Sequence, residues 1–208
     1  MTDAPFSIIA EDIVELTVSD IETAQRVAQY LRTFPECSEV VPTRTTVAVM
    51  FSPLNTNTET ILSLMKNGLS KPLPVSASAT EDITLQVKYG GAEGPDLELV
   101  ARQLDVSPRQ LIETHTDQLF VVDLMGFTPG FAYLSELNWS VPRLNTPRSD
   151  VAAGSIGLAG RLSGIYSLRG PGGWPIIGQT KHQLFDPGVD PPFLLKPGFR
   201  VRFQEINP

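Results

Sequence analysis

The residues best suited to chemistry form a turn, Gly126-Phe127-Thr128-Pro129-Gly130-Phe131, that follows an apolar run. Glycines allow backbone conformations that expose amide groups, and exposed amides can bind a carboxylate or phosphate without a basic side chain. The alternative is a tight turn between strands, with Phe127 and Phe131 in the core. The residues alone favour neither interpretation.

Two further glycine-rich segments are candidate binding loops. Gly154-Ser155-Ile156-Gly157-Leu158-Ala159-Gly160 lacks the spacing of a dinucleotide-binding motif and precedes no helix, so a strand with closely packed backbone is favoured. Gly170-Pro171-Gly172-Gly173-Trp174 is typical of a mobile turn that ends in a large aromatic side chain. We expect Trp174 in the core or in a pocket wall rather than in catalysis.

Three side chains could carry charge or protons. His115 lies at the end of a predicted helix, where a histidine is usually a favourable dipole partner. It could move protons near neutral pH if the fold placed it beside the Thr128-Pro129-Gly130 turn. His182 lies in a predicted loop. The planar fork of Arg148 suits a carboxylate or phosphate, although an ordinary surface arginine is the slightly simpler interpretation.

Several catalytic motifs are missing from the sequence. It contains no G-x-x-x-x-G-K-[ST] loop, no G-x-S-x-G elbow, no H-E-x-x-H and no paired His/Cys metal spacing. The Gly/Ser-rich stretch of a Ser-Ser-Lys amidase is also missing, and the lone Cys37 excludes an internal disulfide and a thiolate zinc cluster. We therefore predict no metal site, and a chain that supplies only part of a catalytic site.

Composition indicates a folded protein, with 41% hydrophobic and 19% charged residues among 208. The net charge of -7 argues against general affinity for DNA, RNA or anionic lipid. Between Ser140 and His182, however, only Asp150 opposes five basic residues, so this segment could hold a small anion: Arg143, Arg148, Arg161, Arg169 and Lys181. No apolar run is long enough for a membrane helix and the start lacks secretory features, so we expect a cytoplasmic protein.

The distribution of glycine predicts two domains. Of 16 glycines, only Gly68 precedes residue 80, and Ser70–Thr80 has the proline and small residues of an exposed linker. The first domain, 1–80 with its last strand reaching about residue 89, shows the order β-α-β-β-α-β of a ferredoxin-like sandwich. Its predicted elements are a strand within 7–19, a helix over 21–31 capped by Asp20 or Ser19, strands at 39–41 and 45–51, a helix over 57–67 ending at Gly68, and a strand over 83–89.

The second domain, 90–208, begins with two short helices, predicted near Asp96–Leu104 and Ser107–Thr114. After them, glycine and proline break the chain into short β-rich runs, which is typical of a small β-barrel or sandwich with long functional loops. The runs are Leu119–Met125, Ser155–Leu158, Gly164–Ser167, Pro175–Ile177 and Phe199–Phe203.

Most of residues 89–203 resembles one family in segment order and spacing. The chain is similar to the B subunit of 5-oxoprolinase, also called allophanate hydrolase subunit 1 or the carboxyltransferase C/D domain, a family that includes a sporulation histidine-kinase inhibitor. The N-terminal part matches only in its pattern of elements. The segments that carry the resemblance are YGGAEGPDLELVA at 89–101, HTDQLFVVDLMGFTPGFAYL at 115–134, TPR at 146–148, VAAGSIGLAG at 151–160, SGIYSLRGPGGWPIIGQT at 163–180, LFDP at 184–187 and LKPGFRVRF at 195–203.

The resemblance implies an α+β protein, with a ferredoxin-like N-terminal domain followed by a cyclophilin-like β-barrel. It also implies a partner, the C subunit of the same enzyme, which is built of cyclophilin-like barrels, with an active site at or near the junction. In this role the B and C subunits use ATP, with Mg²⁺, to activate 5-oxoproline, and an A subunit helps open the ring to glutamate. No biotin is expected on this chain.

The resemblance and the motifs together give the candidate site residues. Gly126, Thr128, Pro129 and Gly130 are assigned to an anion-binding loop, Arg148 to charge neutralisation, and His115 to proton transfer or substrate positioning. Further substrate- or anion-binding candidates are Gly154, Ser155, Gly172, Gly173, Trp174 and Gln179. Two departures concern the substrate. Leu162 replaces a glutamine typical of the family, and Ala10-Glu11-Asp12-Ile13 replaces a Gly-Asp-Ser/Thr-Ala segment.

Two alternative functions belong to other classes. The carboxyltransferase part of a urea carboxylase would need a biotin-carrier Met-Lys-Met-type segment and a biotin carboxylase, and this chain contains neither. A histidine-kinase inhibitor would act by binding alone. Prolyl isomerase activity is not predicted, because a cyclophilin-like fold does not by itself carry function.

Overall fold

The chain divides into two compact units, Met1–Ala79 and Thr80–Pro208. The computed structural model describes residues 5–70 and 82–206, so the predicted linker, from residue 71 onward, lies outside the described residues. The predicted α+β class is confirmed, with helices and a sheet in the first unit and a closed barrel in the second. In the described parts of the chain, no helix has the length and apolar character needed to cross a bilayer.

The first unit is a four-stranded antiparallel sheet in the order β1-β2-β4-β3, with two helices packed on it. Alternation in β2 and β4 directs Val14, Leu16, Val47 and Val49 into a core shared with both helices. The elements are β1 Phe6–Ala10, β2 Ile13–Thr17, α1 Ile21–Leu31, β3 Glu39–Pro42, β4 Thr46–Met50 and α2 Thr58–Ser70.

Local capping sets where the two helices begin. Asp20 Oδ1 accepts the Thr23 amide at 2.8 Å, and Asn57 Oδ1 accepts the Thr60 amide at 2.9 Å. The second helix was predicted to stop at Gly68, but it continues to Ser70. A Cβ at Gly68 would lie 3.0 Å from Tyr30 Cδ1, so this glycine permits close helix packing instead of ending the helix.

Two predictions about the first sheet are wrong. The single strand predicted within 7–19 is a hairpin of β1 and β2. The strand predicted to complete this sheet, near 83–89, instead belongs to the barrel as β5, Asp82–Tyr89, pairing with two strands of the second unit. Alternation identifies a strand but not its sheet, and β5 buries Leu85 and Val87 in the barrel core.

The second unit is a closed barrel in the order β11-β5-β12-β6-β7-β9, and β8 and β10 form a separate ribbon. The two predicted short helices are confirmed. The second begins with Ser107, whose hydroxyl and Gln110 form a capping box. The remaining elements are α3 Leu97–Gln103, α4 Pro108–Asp117, β6 Leu119–Met125, β7 Ala132–Val141, β8 Arg148–Val151, β9 Ser155–Ile165, β10 Gly170–Gly172, β11 Ile176–Thr180 and β12 Arg200–Glu205.

Replacing Gly154 with Ala is expected to destabilise the barrel unit by about 3 kcal/mol. Gly154 has φ +81°, and a Cβ there would collide with the Thr180 carbonyl oxygen. The residue cannot shift freely, because its amide donates to the Tyr166 carbonyl at 2.6 Å and its carbonyl accepts the Thr180 amide at 2.9 Å. Denaturant unfolding followed by tryptophan fluorescence measures the loss.

The matched control is Gly170→Ala. A Cβ at Gly170 meets no atom within 4 Å, and its φ is not positive. We expect the free energy of unfolding of this variant to stay within about 0.5 kcal/mol of the parent value. Equal losses for both variants would contradict the steric explanation.

Candidate functional site

The turn between β6 and β7 is closed by the Phe131 amide, which donates to the Thr128 carbonyl at 3.0 Å. Gly130, at φ +80°, takes the third position of this turn after Pro129, where a positive φ favours glycine. The Ser167 hydroxyl donates to the Pro129 carbonyl at 2.6 Å. The turn is therefore held in one conformation.

Several backbone amides of the same turn have no partner within the chain. Within the described residues, the amides of Phe127, Thr128 and Gly130 donate to no protein acceptor. Phe127 has φ +71°, an uncommon conformation for a non-glycine residue, and is 63% exposed. Phe131 is buried and Phe127 is exposed, so the core interpretation holds for Phe131 but not for Phe127. Anion binding by the turn stays a prediction.

Five rings from three parts of the barrel unit form an aromatic cluster: Phe127, Phe131, Tyr133, Tyr166 and Trp174. Phe131 is central, with ring centroids 5.0 Å from Tyr166, 4.7 Å from Tyr133 and 5.8 Å from Trp174. Phe127 meets Tyr166 edge-on at 6.5 Å. The cluster thus connects the β6–β7 turn with the Trp174 segment.

Polar groups border this aromatic cluster. The Arg143 guanidinium carbon lies 5.9 Å from the Trp174 ring centroid, within cation–π range. Burial raises the pKa of Tyr133 and of Tyr166, and the charge of Arg143 acts in the opposite direction on both. Both hydroxyls are therefore protonated at neutral pH and can donate hydrogen bonds.

The predicted Gly172-Gly173-Trp174 segment wraps around Tyr166. Gly172 pairs with Arg148 in the β8–β10 ribbon, and a Cβ on Gly172 would collide with the Tyr166 hydroxyl. The Gly173 carbonyl accepts the Leu144 amide at 2.9 Å. Three predicted features, namely the turn, the Gly172–Trp174 segment and Arg148, are therefore linked through Tyr166 and the ribbon.

Arg148 already has a protein partner. Its Nη1 and Nη2 donate to Asp96 Oδ2 and Oδ1 at 2.8 and 2.7 Å. Asp96 Oδ2 also accepts the Ile176 amide at 2.6 Å, and the Asp96 side chain is only 8% exposed. One edge of the guanidinium is thus bound to a structural carboxylate, while 33% of the side chain stays exposed. Charge neutralisation by Arg148 stays a prediction.

Three other predicted residues lie near the start of β9. Gly154 and Ser155 are buried, and their amides donate to backbone carbonyls. Gln179 on β11 donates from Nε2 to the Ala153 carbonyl at 2.7 Å and lines a cleft on the outside of the barrel. Gly154 and Ser155 serve backbone packing here, whereas Gln179 reaches a surface where a ligand could bind.

His115 has no exposed surface and lies inside the barrel unit, where it packs against the rings of Phe120 and Phe203. Its Nδ1 is 2.8 Å from the Tyr89 hydroxyl and its Nε2 is 3.0 Å from Ser163 Oγ. Burial lowers its pKa to about 3. None of these partners belongs to the Thr128-Pro129-Gly130 turn, so the structure gives His115 the surroundings of a neutral core histidine. A role in proton transfer stays a prediction.

Sequence reasoning missed Tyr133, Tyr166 and Asp96. Tyr166 stands in a segment that carried the family resemblance, which was the available signal. Asp96 was predicted only as the start of a helix, and its side chain makes no cap hydrogen bond. Leu162, at the position of the family's glutamine, is partly buried against the core cluster that contains Phe131, Tyr166 and Trp174. In the described ranges, no three His, Cys, Asp or Glu side chains are grouped as metal ligands.

Comparison with known proteins gives close relatives over almost the whole chain. The B subunit of 5-oxoprolinase from Escherichia coli O157:H7 is 36% identical over 95% of this chain and 91% of its own length. The B subunit of 5-oxoprolinase from Bacillus subtilis (strain 168) is 35% identical over 84% of this chain and 78% of its own length.

Solved structures share the fold. TTHA0988 matches with a TM-score of 0.81 and 32% identity over 94% of this chain, and this chain spans 40% of that one. The K. lactis urea amidolyase matches with a TM-score of 0.78 over 99% of this chain and 15% of its own, and at 15% identity it supports the fold alone. The model of the carboxyltransferase domain, subdomain C and D, matches residues 6–195. The chain therefore belongs to the carboxyltransferase subdomain C and D family, which includes the B subunits of 5-oxoprolinase.

Proposed function

We propose that this chain is the B subunit of an ATP-dependent 5-oxoprolinase and acts with a C-subunit partner and an A-subunit homologue. The complex would convert 5-oxo-L-proline, ATP and water to L-glutamate, ADP and phosphate. The observation that carries the proposal is the match to the E. coli protein across nearly the full length of both chains. In TTHA0988 the matching region is joined to further chain, which supports a function shared with another polypeptide.

The chemistry requires activation of a lactam. A lactam carbonyl is a poor electrophile, and transfer of the ATP γ-phosphoryl group to its oxygen turns that oxygen into a leaving group. Water then adds at the carbonyl carbon, and the C–N bond breaks as the nitrogen takes up a proton, which opens the ring to γ-glutamyl phosphate. A second water hydrolyses this acyl phosphate to glutamate and phosphate. A protein that supports these steps must hold two anions together and offset the charge that develops between them.

The outer face around the aromatic cluster offers groups suited to this task. The amides of Phe127 and Thr128 can donate to phosphate oxygens. Arg143 and the outer N–H groups of Arg148 supply positive charge beside Trp174 and Tyr166. In this proposal ATP and its Mg²⁺ bind jointly with the partner, the metal being held by phosphate and water oxygens. The aromatic rings would exclude water from one side of the shared site.

The proposal is tested by co-expressing the chain with its C-subunit and A-subunit homologues and measuring ADP release with and without 5-oxo-L-proline. We expect release that depends on 5-oxoproline and is accompanied by equimolar glutamate. The chain alone should release no ADP above background. Turnover by the chain alone would overturn the shared-site proposal.

The same preparation separates the alternatives. Carboxylation of urea by added carboxybiotin, without ADP release on 5-oxoproline, would favour the urea carboxylase role. Inhibition of histidine-kinase autophosphorylation by the chain, with an inactive complex, would favour the binding role. Either result would replace 5-oxoproline hydrolysis as the function.

A further inference from the structure

A second surface of the barrel unit combines charges and amides in a cleft of about 440 Å³. It lies on β5 and β11, where Lys88 and Gln179 are cross-strand partners. The volume is within the range of small-molecule sites. Its polar lining consists of Gln86, Lys88, Glu93, Gln179, Lys181 and His182.

The charges of the cleft leave one cation without a close partner. Lys88 Nζ lies 3.0 Å from Glu93 Oε1, so these two groups compensate each other. Among the described residues, no carboxylate forms an ion pair with Lys181, which is exposed. The hydrogen bond from Lys88 lowers the pKa of Glu93, and the charges of Lys88 and Lys181 act in the same direction. The lining thus has an excess of one positive charge, which suits a monoanion better than a polyanion.

Hydrogen bonds within the chain orient the neighbouring groups. The Thr180 hydroxyl oxygen accepts the His182 amide at 3.3 Å, so its own proton is available to His182 Nδ1 at 2.9 Å. When Thr180 donates to Nδ1, His182 Nε2 carries the ring proton and can donate in turn. Gln179 uses its Nε2 on the Ala153 carbonyl at 2.7 Å, which leaves Oε1 as an acceptor. The cleft therefore offers cationic and neutral donors together with an amide acceptor.

We propose that this cleft binds a compact monocarboxylate that also carries an amide N–H, the combination present in a lactam acid such as 5-oxoproline. The carboxylate pairs with Lys181 and accepts from His182 Nε2, and the lactam N–H donates to Gln179 Oε1. This inference rests on the proposed function: the cleft takes up the lactam acid, which must then move against the ATP phosphates for the transfer step. Of the candidate site residues, only Gln179 belongs to this lining, and Lys181 belongs to the basic segment that was expected to hold a small anion.

The test is titration calorimetry of the full chain with 5-oxo-L-proline, followed by the same titration of Lys181→Gln. We expect saturable binding by the parent and a loss of at least about tenfold in affinity in the variant, because a hydrogen-bonded charge pair is removed. The matched control is Lys196→Gln, which removes an exposed lysine outside the cleft and is expected to bind like the parent. 5-Oxoprolinamide, which lacks the carboxylate, should bind at least about tenfold more weakly than the acid.

Unchanged affinity in Lys181→Gln, or no binding by the parent chain up to about 10 mM, would overturn the assignment. These outcomes are separate from failure of the proposed function. If the complex hydrolyses 5-oxoproline with the same KM in the parent and in Lys181→Gln, the proposed function stands and the proposed binding role of the cleft is wrong. If binding depends on Lys181 but the complex shows no turnover, the binding role of the cleft stands and the proposed hydrolysis is wrong.

Discussion

Lowering the pH from about 7 to about 5 is expected to reduce the free energy of unfolding of the barrel unit by about 2 kcal/mol through His115 alone. Burial lowers the His115 pKa from 6.5 to about 3 in the fold, so in this interval the unfolded chain binds the proton and the native chain does not. Stability is therefore full above about pH 6.5 and falls as the pH decreases towards 3. Both tryptophans, Trp139 and Trp174, lie in the barrel unit, so their fluorescence follows its unfolding.

His115→Gln isolates the effect, because glutamine can hydrogen-bond Tyr89 and Ser163 but does not titrate. Near pH 8 the free energy of unfolding of this variant should be lower than that of the parent. Near pH 5 the difference between the two should be smaller by about 2 kcal/mol, because only the parent loses stability through His115. Val141→Ala is the control, since it destabilises the same core without removing a proton site, and its loss of unfolding free energy should not vary with pH. Below about pH 4.5, protonation of carboxylates with a lowered pKa, such as Asp150, also destabilises the protein. The two variants are therefore compared above that pH. A constant deficit for His115→Gln would mean that His115 does not control acid stability.

Local elements could be predicted from sequence because their signals are local. The cap of α1 at Asp20, the capping box at Ser107 and the bounds of β6 depend on residues within one turn or strand. The barrel of the second unit follows from dense glycine and proline between short β-rich runs. For these elements, tertiary structure did not override local preference.

The assignment of β5 and the existence of β7 could not be predicted from periodicity. β5 is separated in sequence from its partner β12 by most of the barrel unit. In β7 the buried positions Ala132, Leu134, Leu137 and Val141 are unevenly spaced, because the register against β9 shifts twice. Such irregularities hide the alternation by which strands are recognised.

The candidate site shows the same division between local and distant information. The turn follows from its own glycines and proline, which is local information, whereas its role in anion binding stays a prediction. The Arg148–Asp96 pair joins residues 52 positions apart, through a ribbon that sequence analysis did not identify. The environment of His115 depends on Tyr89 and Ser163, from two different strands. Partners of this kind become visible only when the barrel closes.

Replacing Arg148 with Ala is expected to reduce 5-oxoproline turnover by the reconstituted complex about 100-fold or more, while the complex still assembles. Asp96 binds one edge of the guanidinium, 33% of the side chain stays exposed, and its charge acts on Tyr166 of the aromatic cluster. That geometry lets one arginine be fixed by a protein carboxylate and still donate to a second anion. Turnover is measured as ADP release at saturating substrate, and assembly by co-purification.

Asp96→Asn separates this role from structure. The asparagine can still accept the Ile176 amide but removes the counter-charge, so we expect a stability loss of about 2 kcal/mol, measured by tryptophan fluorescence. Arg148→Ala breaks the same pair and should lose a comparable amount of stability.

If Arg148 contacts the reacting anion, Asp96→Asn keeps turnover and lowers KM for the anionic substrate, since the guanidinium is no longer neutralised. Arg148→Lys should recover part of the activity, because it keeps the charge without the planar fork. If Asp96→Asn and Arg148→Ala lose turnover equally, each in proportion to its loss of stability, then Arg148 is a structural residue. Arg143 and the turn amides would then be the groups that hold the anion.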